Sequence, residues 1–131
     1  MSTLVRITRD NHADLWPLAV TRIRAFSLRY GAKPDGLINT LWTLFATNSP
    51  LCGIWGALPD ASAYESPDGP SRRLIGHIVT TIEPFNGATV AWVMQCEMDR
   101  RTPQAFVDQF LLEMEDWIAQ ANTVLPPANK V

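Results

Sequence analysis

The 131-residue chain carries 11 Lys and Arg against 13 Asp and Glu, a net charge of −2, and is 47% hydrophobic. That length fits one domain, 1–131, with a proper core, and the charge balance argues against a general nucleic-acid binder. No stretch reads as a leader peptide, and no apolar run approaches the roughly 20 residues needed to span a bilayer.

Charged content is low at 18%, which leaves little charge to solvate the surface and points weakly to a partner surface. Cys52 and Cys96 fall in expected strands. Two cysteines are too few for a disulfide framework, so both read as buried thiols of a reducing compartment. His12 and His77 lie far apart and no CxxC pair is present, so no metal site is expected.

Residues 4–8 (LVRIT) alternate as a short strand. Asp14 is a good helix N-cap, with Pro17 then the third helical residue, where no intrahelical partner is lost. Leu15, Leu18, Ala19, Ile23, Phe26 and Tyr30 recur at helical spacing, and Gly31 suits the position after the C-cap. Asp35 caps a second expected helix over 36–47. Its Leu37, Ile38, Leu41, Trp42, Leu44 and Phe45 span an arc too wide for one surface face. It is either wedged between the first helix and the sheet or buried against a partner.

Residues 51–58 (LCGIWGAL) read as a strand. Periodicity then fails over 59–71, a Pro- and Gly-rich stretch expected to be a long exposed loop. Residues 73–99 follow as a long β-hairpin around Pro84-Phe85-Asn86-Gly87, because an Asn-Gly pair between Val-, Ile-, Thr- and Trp-rich runs is the strongest short-range hairpin signal. A two-residue loop pairing Phe85 with Ala88 and a four-residue loop pairing Glu83 with Ala88 keep the same faces. Either puts Ile78, Thr80 and Ile82 on one face with Ala91, Val93 and Gln95, and His77, Val79 and Thr81 on the other with Trp92, Met94 and Cys96. Both faces are largely apolar, which predicts a hairpin covered on both sides.

Thr102 as N-cap and Pro103 at the first helical position open a third helix running to about Asn122. Phe106, Val107, Phe110, Leu111, Met114, Trp117, Ile118 and Ala121 form its apolar stripe. Asp108, Glu113, Glu115 and Asp116 form an acidic face suited to solvent or to a basic patch, such as residues 1–35 of a second copy. Residues 123–125 are compatible with a very short strand, and 126–131 with a tail.

The order is strand, helix, helix, three strands, helix. With its V-R-I-T strand, its W-G strand and the long hairpin before a capped helix, the chain resembles the GNAT acetyltransferase superfamily over nearly its whole length. The segment R-R-L-I-G-H-I-V-T-T-I-E followed by V-A-W-V-M-Q is similar to small GNAT-like proteins of tailed-phage virion gene clusters. The resemblance implies an α/β (α+β) fold: a mixed, mostly antiparallel sheet of about four strands with a central hairpin, flanked by three helices.

It also implies where chemistry would lie. The family binds acetyl-coenzyme A where its fourth and fifth strands splay. A loop of pattern Q/R-x-x-G-x-G/A holds the pyrophosphate on backbone N–H groups at a helix start. That pattern aligns best on Arg100-Arg101-Thr102-Pro103-Gln104-Ala105. There Arg100 and Ala105 match, but Pro103 replaces a glycine and has no N–H to give. Only nine residues follow Asn122, which reads as a C-terminally truncated, degenerate member.

The family often uses a strand glutamate as general base. Glu97 is the fallback candidate, Glu83 reads as a solvated turn acid, and His77 reads as a core or edge histidine. Cys96 lacks a nucleophile signature. Tyr30 and Tyr64 have the chemistry of general acids, but nothing in the sequence brings either near Glu97.

Two expectations follow. The first is a non-catalytic GNAT-like protein that works by binding a protein partner or itself. It would use no cofactor, contact neither nucleic acid nor membrane, and be cytoplasmic when made or part of a virion. The alternative is an acetyl-coenzyme A-dependent N-acyltransferase with an atypical loop, using Glu97 as base and Arg100, Arg101 and Thr102 for phosphate. A small toxin-antitoxin or regulatory module has no support beyond size.

Overall fold

A computed structural model describes residues 3–58, 65–66, 69–70, 73–99 and 104–131. In chain order these form β1 (Thr3–Arg6), α1 (His12–Arg29), α2 (Pro34–Ala46), β2 (Cys52–Leu58), the two-residue strands β3 (Glu65–Ser66) and β4 (Gly69–Pro70), β5 (Gly76–Phe85), β6 (Ala88–Met98) and α3 (Gln104–Val124). The main sheet has four antiparallel strands in the order β1-β2-β5-β6. This is the expected α+β arrangement of a central hairpin flanked by three helices. Most of the expected 59–71 loop lies outside the described residues, apart from the small β3–β4 ladder.

Helices cover both faces. On one side Leu15, Ala19 and Ile23 of α1 and Ile38 and Leu41 of α2 pack on Cys52, Ile54 and Val79. On the other, Trp117 and Ala121 of α3 pack on Leu4, Trp55, Ile78 and Ile82, with Phe106, Phe110, Met114 and Ile118 alongside. The i, i+3, i+4, i+7 spacing along α3 sets that seam. Trp55 is fully buried between Trp117 and Phe110, edge-on to both rings at 5.9 and 5.6 Å between centroids. Its indole reaches Glu113 at 3.5 Å, and the Trp117 indole N–H donates to the Pro50 carbonyl at 3.1 Å. Glu113, placed on an acidic solvated face by the sequence, is therefore half-buried against the core.

The hairpin turns as its residues require. Asn86 and Gly87 both take positive φ, 48° and 80°, and Phe85 pairs with Ala88 across a two-residue loop. The face assignment beyond it is corrected by a bulge. Thr80 pairs with Val93 but Val79 pairs with Gln95, so Met94 has no opposite number. The extra residue flips the rest of β6. Gln95 and Glu97 join His77 and Val79 beneath α1, while Cys96 pairs with Ile78 on the other face.

A second correction concerns cover. β5 is buried from Gly76 to Ile82, but β6 is an edge of the sheet, and the α3 cluster centres on β1, β2 and β5 with Ala91 of β6 at its margin. Trp92, Val93 and Met94 are 40%, 46% and 43% exposed, and Cys96 is exposed while Cys52 is buried.

Helix ends also shift. α1 begins at His12 with Asn11 as cap, because the Asn11 side chain ties the preceding turn by accepting from Thr8 N–H and donating to the Arg6 carbonyl. Pro17 therefore sits inside the helix. Pro34 opens α2 at its first position, where its missing N–H costs nothing, and Asp35 pairs with Arg24 at 2.8 Å instead of capping.

Both helices end in a left-handed residue, Gly31 or Asn48. The following N–H bonds back to Ser27 or Leu44 at 2.8 Å. α2 is neither fully wedged nor fully free: Ile38 and Leu41 are buried, while Trp42 is 43% exposed and rests against Trp16 and Phe45. Finally, α3 continues to Val124, so residues 123–125 form no strand, and Val107 and Leu111 of its expected stripe face outward. Its expected Thr102-Pro103 start lies outside the described residues.

Candidate functional site

The densest polar assembly lies beneath α1, where β5 begins and β6 ends. Arg22 is its hub, with only 13% of its side chain exposed. Its Nε donates to His77 Nδ1 at 3.3 Å. Nη1 donates to the Leu74 carbonyl at 3.1 Å and to Asp99 at 2.6 Å. Nη2 donates to Glu97 Oε1 at 3.2 Å. Arg29, two turns later on the same helix face, engages both oxygens of Glu97. Arg73 approaches the other Asp99 oxygen at 3.9 Å.

Deeper in, His77 is wholly buried and its Nε2 meets Gln95 Oε1 at 2.9 Å. The Gln95 amide donates to Ser27 Oγ at 3.0 Å. Since Arg22 Nε can only donate, His77 Nδ1 must accept, and the ring proton sits on Nε2 facing the Gln95 carbonyl oxygen. Phe26 meets the imidazole edge-on at 5.7 Å. The bulge at Met94 makes this chain of contacts possible, because it turns Gln95 and Glu97 toward α1.

Glu97, the sequence's candidate base, is thus 19% exposed with both oxygens engaged by guanidinium donors. A general base must present a lone pair to the proton it removes, and Arg22 and Arg29 take three of the roughly four lone-pair sites of the carboxylate, two on Oε1 and one on Oε2. Arg100, Arg101 and Thr102 lie outside the described residues, as does Tyr64. Tyr30 is exposed with its ring tilted against Phe26 at 4.7 Å between centroids, and Glu83 is an exposed acid of β5 that pairs with Val90 next to the turn. Among the described residues, no group of three His, Cys, Asp or Glu side chains gathers as a metal site, and no helix is long and apolar enough to cross a membrane.

The sequence reading missed Arg22 and Arg29 as partners of Glu97, Ser27 as a partner of Gln95, and Asp99 as the second carboxylate on Arg22. One signal was available: Gln95, Glu97 and Asp99 alternate, which places three polar groups on one strand face. Arg22 and Arg29 recur at i, i+7 on α1. Nothing local links the two sets.

Burial lowers the His77 pKa below the usual imidazole value, and the nearby Arg22 charge adds to that, while Gln95 and Glu97 work the other way. The unfolded chain therefore binds a proton at a pH where the folded one does not. Stability is fully present above the unfolded pKa of about 6.5 and falls as pH drops below it, by up to about 1.4 kcal/mol per pH unit. Urea unfolding between pH 7 and 5 is expected to show this slope, and His77→Gln to remove it. An unchanged slope in the variant would assign it to other groups.

No protein-family model matches the chain, and no curated protein matches it. Among solved structures it is similar to one titled a probable acetyltransferase, with a TM-score of 0.50 and 19% identity, covering 90% of this chain and 71% of that one. The molecule accordingly has an acetyltransferase-like α+β fold. At that identity the likeness describes the backbone alone.

Proposed function

We propose that this chain is a non-catalytic GNAT-like interaction protein, a subunit of a larger assembly such as a phage virion, rather than an acyltransferase. The phage setting rests on the sequence resemblance around residues 72–95. The observation that carries the binding reading is the edge strand β6. From Ala88 to Gln95 it holds no charge, and Trp92, Val93 and Met94 are exposed on it. Natural edge strands are normally blunted by Lys, Pro or inward charges. An uncharged edge of this kind fits an added strand from another protein chain, with main-chain hydrogen bonds giving affinity and side chains giving selectivity. The double arginine clamp on Glu97 supports the same reading, because it engages both oxygens of the carboxylate that acyl transfer would use in structural ion pairs.

Size-exclusion chromatography with light scattering, over a range of concentrations, and a pull-down from the native host test the proposal. Self-association or a captured partner that Val93→Lys abolishes is the expected result. A monomer at high concentration with no partner would overturn it.

The acetyltransferase-like fold favours one second reading, an acetyl-coenzyme A-dependent N-acyltransferase. Calorimetric titration with acetyl-coenzyme A decides between them. Absence of heat at high ligand concentration is expected. Micromolar binding, lost in an Arg100→Ala/Arg101→Ala variant, would instead establish the enzyme reading and its phosphate residues.

A further inference from the structure

A cavity of about 310 Å³ opens at the other end of the strands from Glu97, where β1 ends and β2 begins. Its position follows from the register: Cys52, in its wall, pairs with Thr81, whereas Glu97 pairs with His77. We propose that this cavity binds a small organic monocarboxylate, with Arg6 and Arg9 meeting the carboxylate and the Ile7, Phe45 and Cys52 side chains receiving a short apolar body.

The lining carries two guanidiniums and one carboxylate, Asp10. Each guanidinium is positioned by a neutral acceptor. Arg6 Nη1 donates to the Gln120 side-chain oxygen at 3.2 Å, and Arg9 Nη2 donates to the Ala46 carbonyl at 2.6 Å. The Arg6 guanidinium carbon also lies over the Trp55 ring, 5.9 Å from its centroid. The half-burial of Arg6 opposes the charged form, while the Glu113 carboxylate, outside the lining and against the Trp55 indole, favours it; an anion in the cavity offsets what remains of that cost. Guanidiniums present N–H donors in a fixed fork that matches a carboxylate.

Hydroxyl donors flank them. Thr8 Oγ1 accepts from Asp10 N–H at 3.3 Å, and Ser49 Oγ accepts from Leu51 N–H at 3.2 Å. With an acceptor role filled, each hydroxyl retains its proton to donate. Ile7, Phe45 and Cys52 supply the apolar part of the lining. Cys52 adds no charge there, because burial pushes its thiol pKa up to about 11. With Asp10 present, the wall carries a single net positive charge. One negative charge neutralises it, and a dianion such as phosphate leaves an excess beside an apolar surface. The volume lies at the small end of ordinary ligand sites.

Titration of the full chain with hexanoate, followed by amide NMR shifts, tests this, with hexanamide as the neutral control. The expected result is saturation at ligand concentrations on the order of 1 mM, with shifts at residues 6–10 and 48–52 and at least tenfold weaker binding of hexanamide. Arg9 is exposed, so Arg9→Gln leaves the fold intact; it is expected to weaken hexanoate about tenfold. Hexanoate should also slow alkylation of Cys52 in a Cys96→Ser background. Equal binding of hexanamide, hexanoate binding unaffected by Arg9→Gln, or inorganic phosphate competing as well as hexanoate would each overturn the proposal.

Discussion

Replacing Trp55 by alanine is expected to lower the unfolding free energy by about 3–5 kcal/mol, the usual cost of truncating a fully buried aromatic side chain. Trp55 is, with Trp117, the largest fully buried side chain among the described residues, and it joins the sheet to α3 through the rings of Phe110 and Trp117. Its loss opens a cavity that flanking side chains cannot fill without moving α3, and it removes the surface over which Arg6 lies. The change is large against the roughly 5–15 kcal/mol that holds a domain together, so a near-complete collapse of the transition at 37 °C is expected. Urea unfolding measured by intrinsic fluorescence and circular dichroism checks it. Trp42→Ala is the control: at 43% exposure, with contacts to the rings of Trp16 and Phe45, it is expected to cost about 1 kcal/mol. Equal losses in the two variants would mean that α3 does not seal the core as described.

The second large effect is expected at Arg22. Arg22→Met keeps the length and apolar stem but removes the donors to His77, Leu74, Asp99 and Glu97 together. Leaving those acceptors under-satisfied at a partly buried site is expected to cost about 2–4 kcal/mol. Solvent reaches Asp99, with 31% of its side chain exposed, which tempers the loss. Arg22→Lys is not expected to rescue it, because a single ammonium cannot reach four acceptors in different directions.

The variant has a spectroscopic signature as well. Arg22 is one of the charges that depress the His77 pKa, so its removal is expected to raise the imidazole titration midpoint seen by NMR. An unchanged midpoint would show that the pair is not coupled in solution. Together with the pH dependence of stability, this measurement separates the structural role of the cluster from any chemistry at Glu97.

Glu97 illustrates how far local reading reaches. Its position near the end of a long hairpin strand was enough to single it out. Its partners were not readable, because Arg29 lies 68 residues away in the chain and meets it only once α1 has packed on the sheet. The bulge has the same character. Val79 and Thr80 look like an uninterrupted alternating run, and no Gly or Pro marks the residue opposite them. The extra residue is placed by the contacts on either side: the Asn-Gly turn sets one register, and the links from Gln95 to His77 and Ser27 set the other.

What the sequence determined by itself was local: the turn at Asn86-Gly87, the helix ending at Gly31, the Val-, Ile- and Trp-rich strands and the apolar seam of α3. Each follows from backbone freedom or periodicity within a few residues. Only the tertiary structure decided that β6 is an edge, that Cys96 is exposed, that Glu97 is clamped, and that Arg6 and Arg9 share a cavity. The reason is physical. Alternation says that a strand has two faces but not what covers them. Which groups meet depends on helix placement across the sheet, set by packing between segments tens of residues apart.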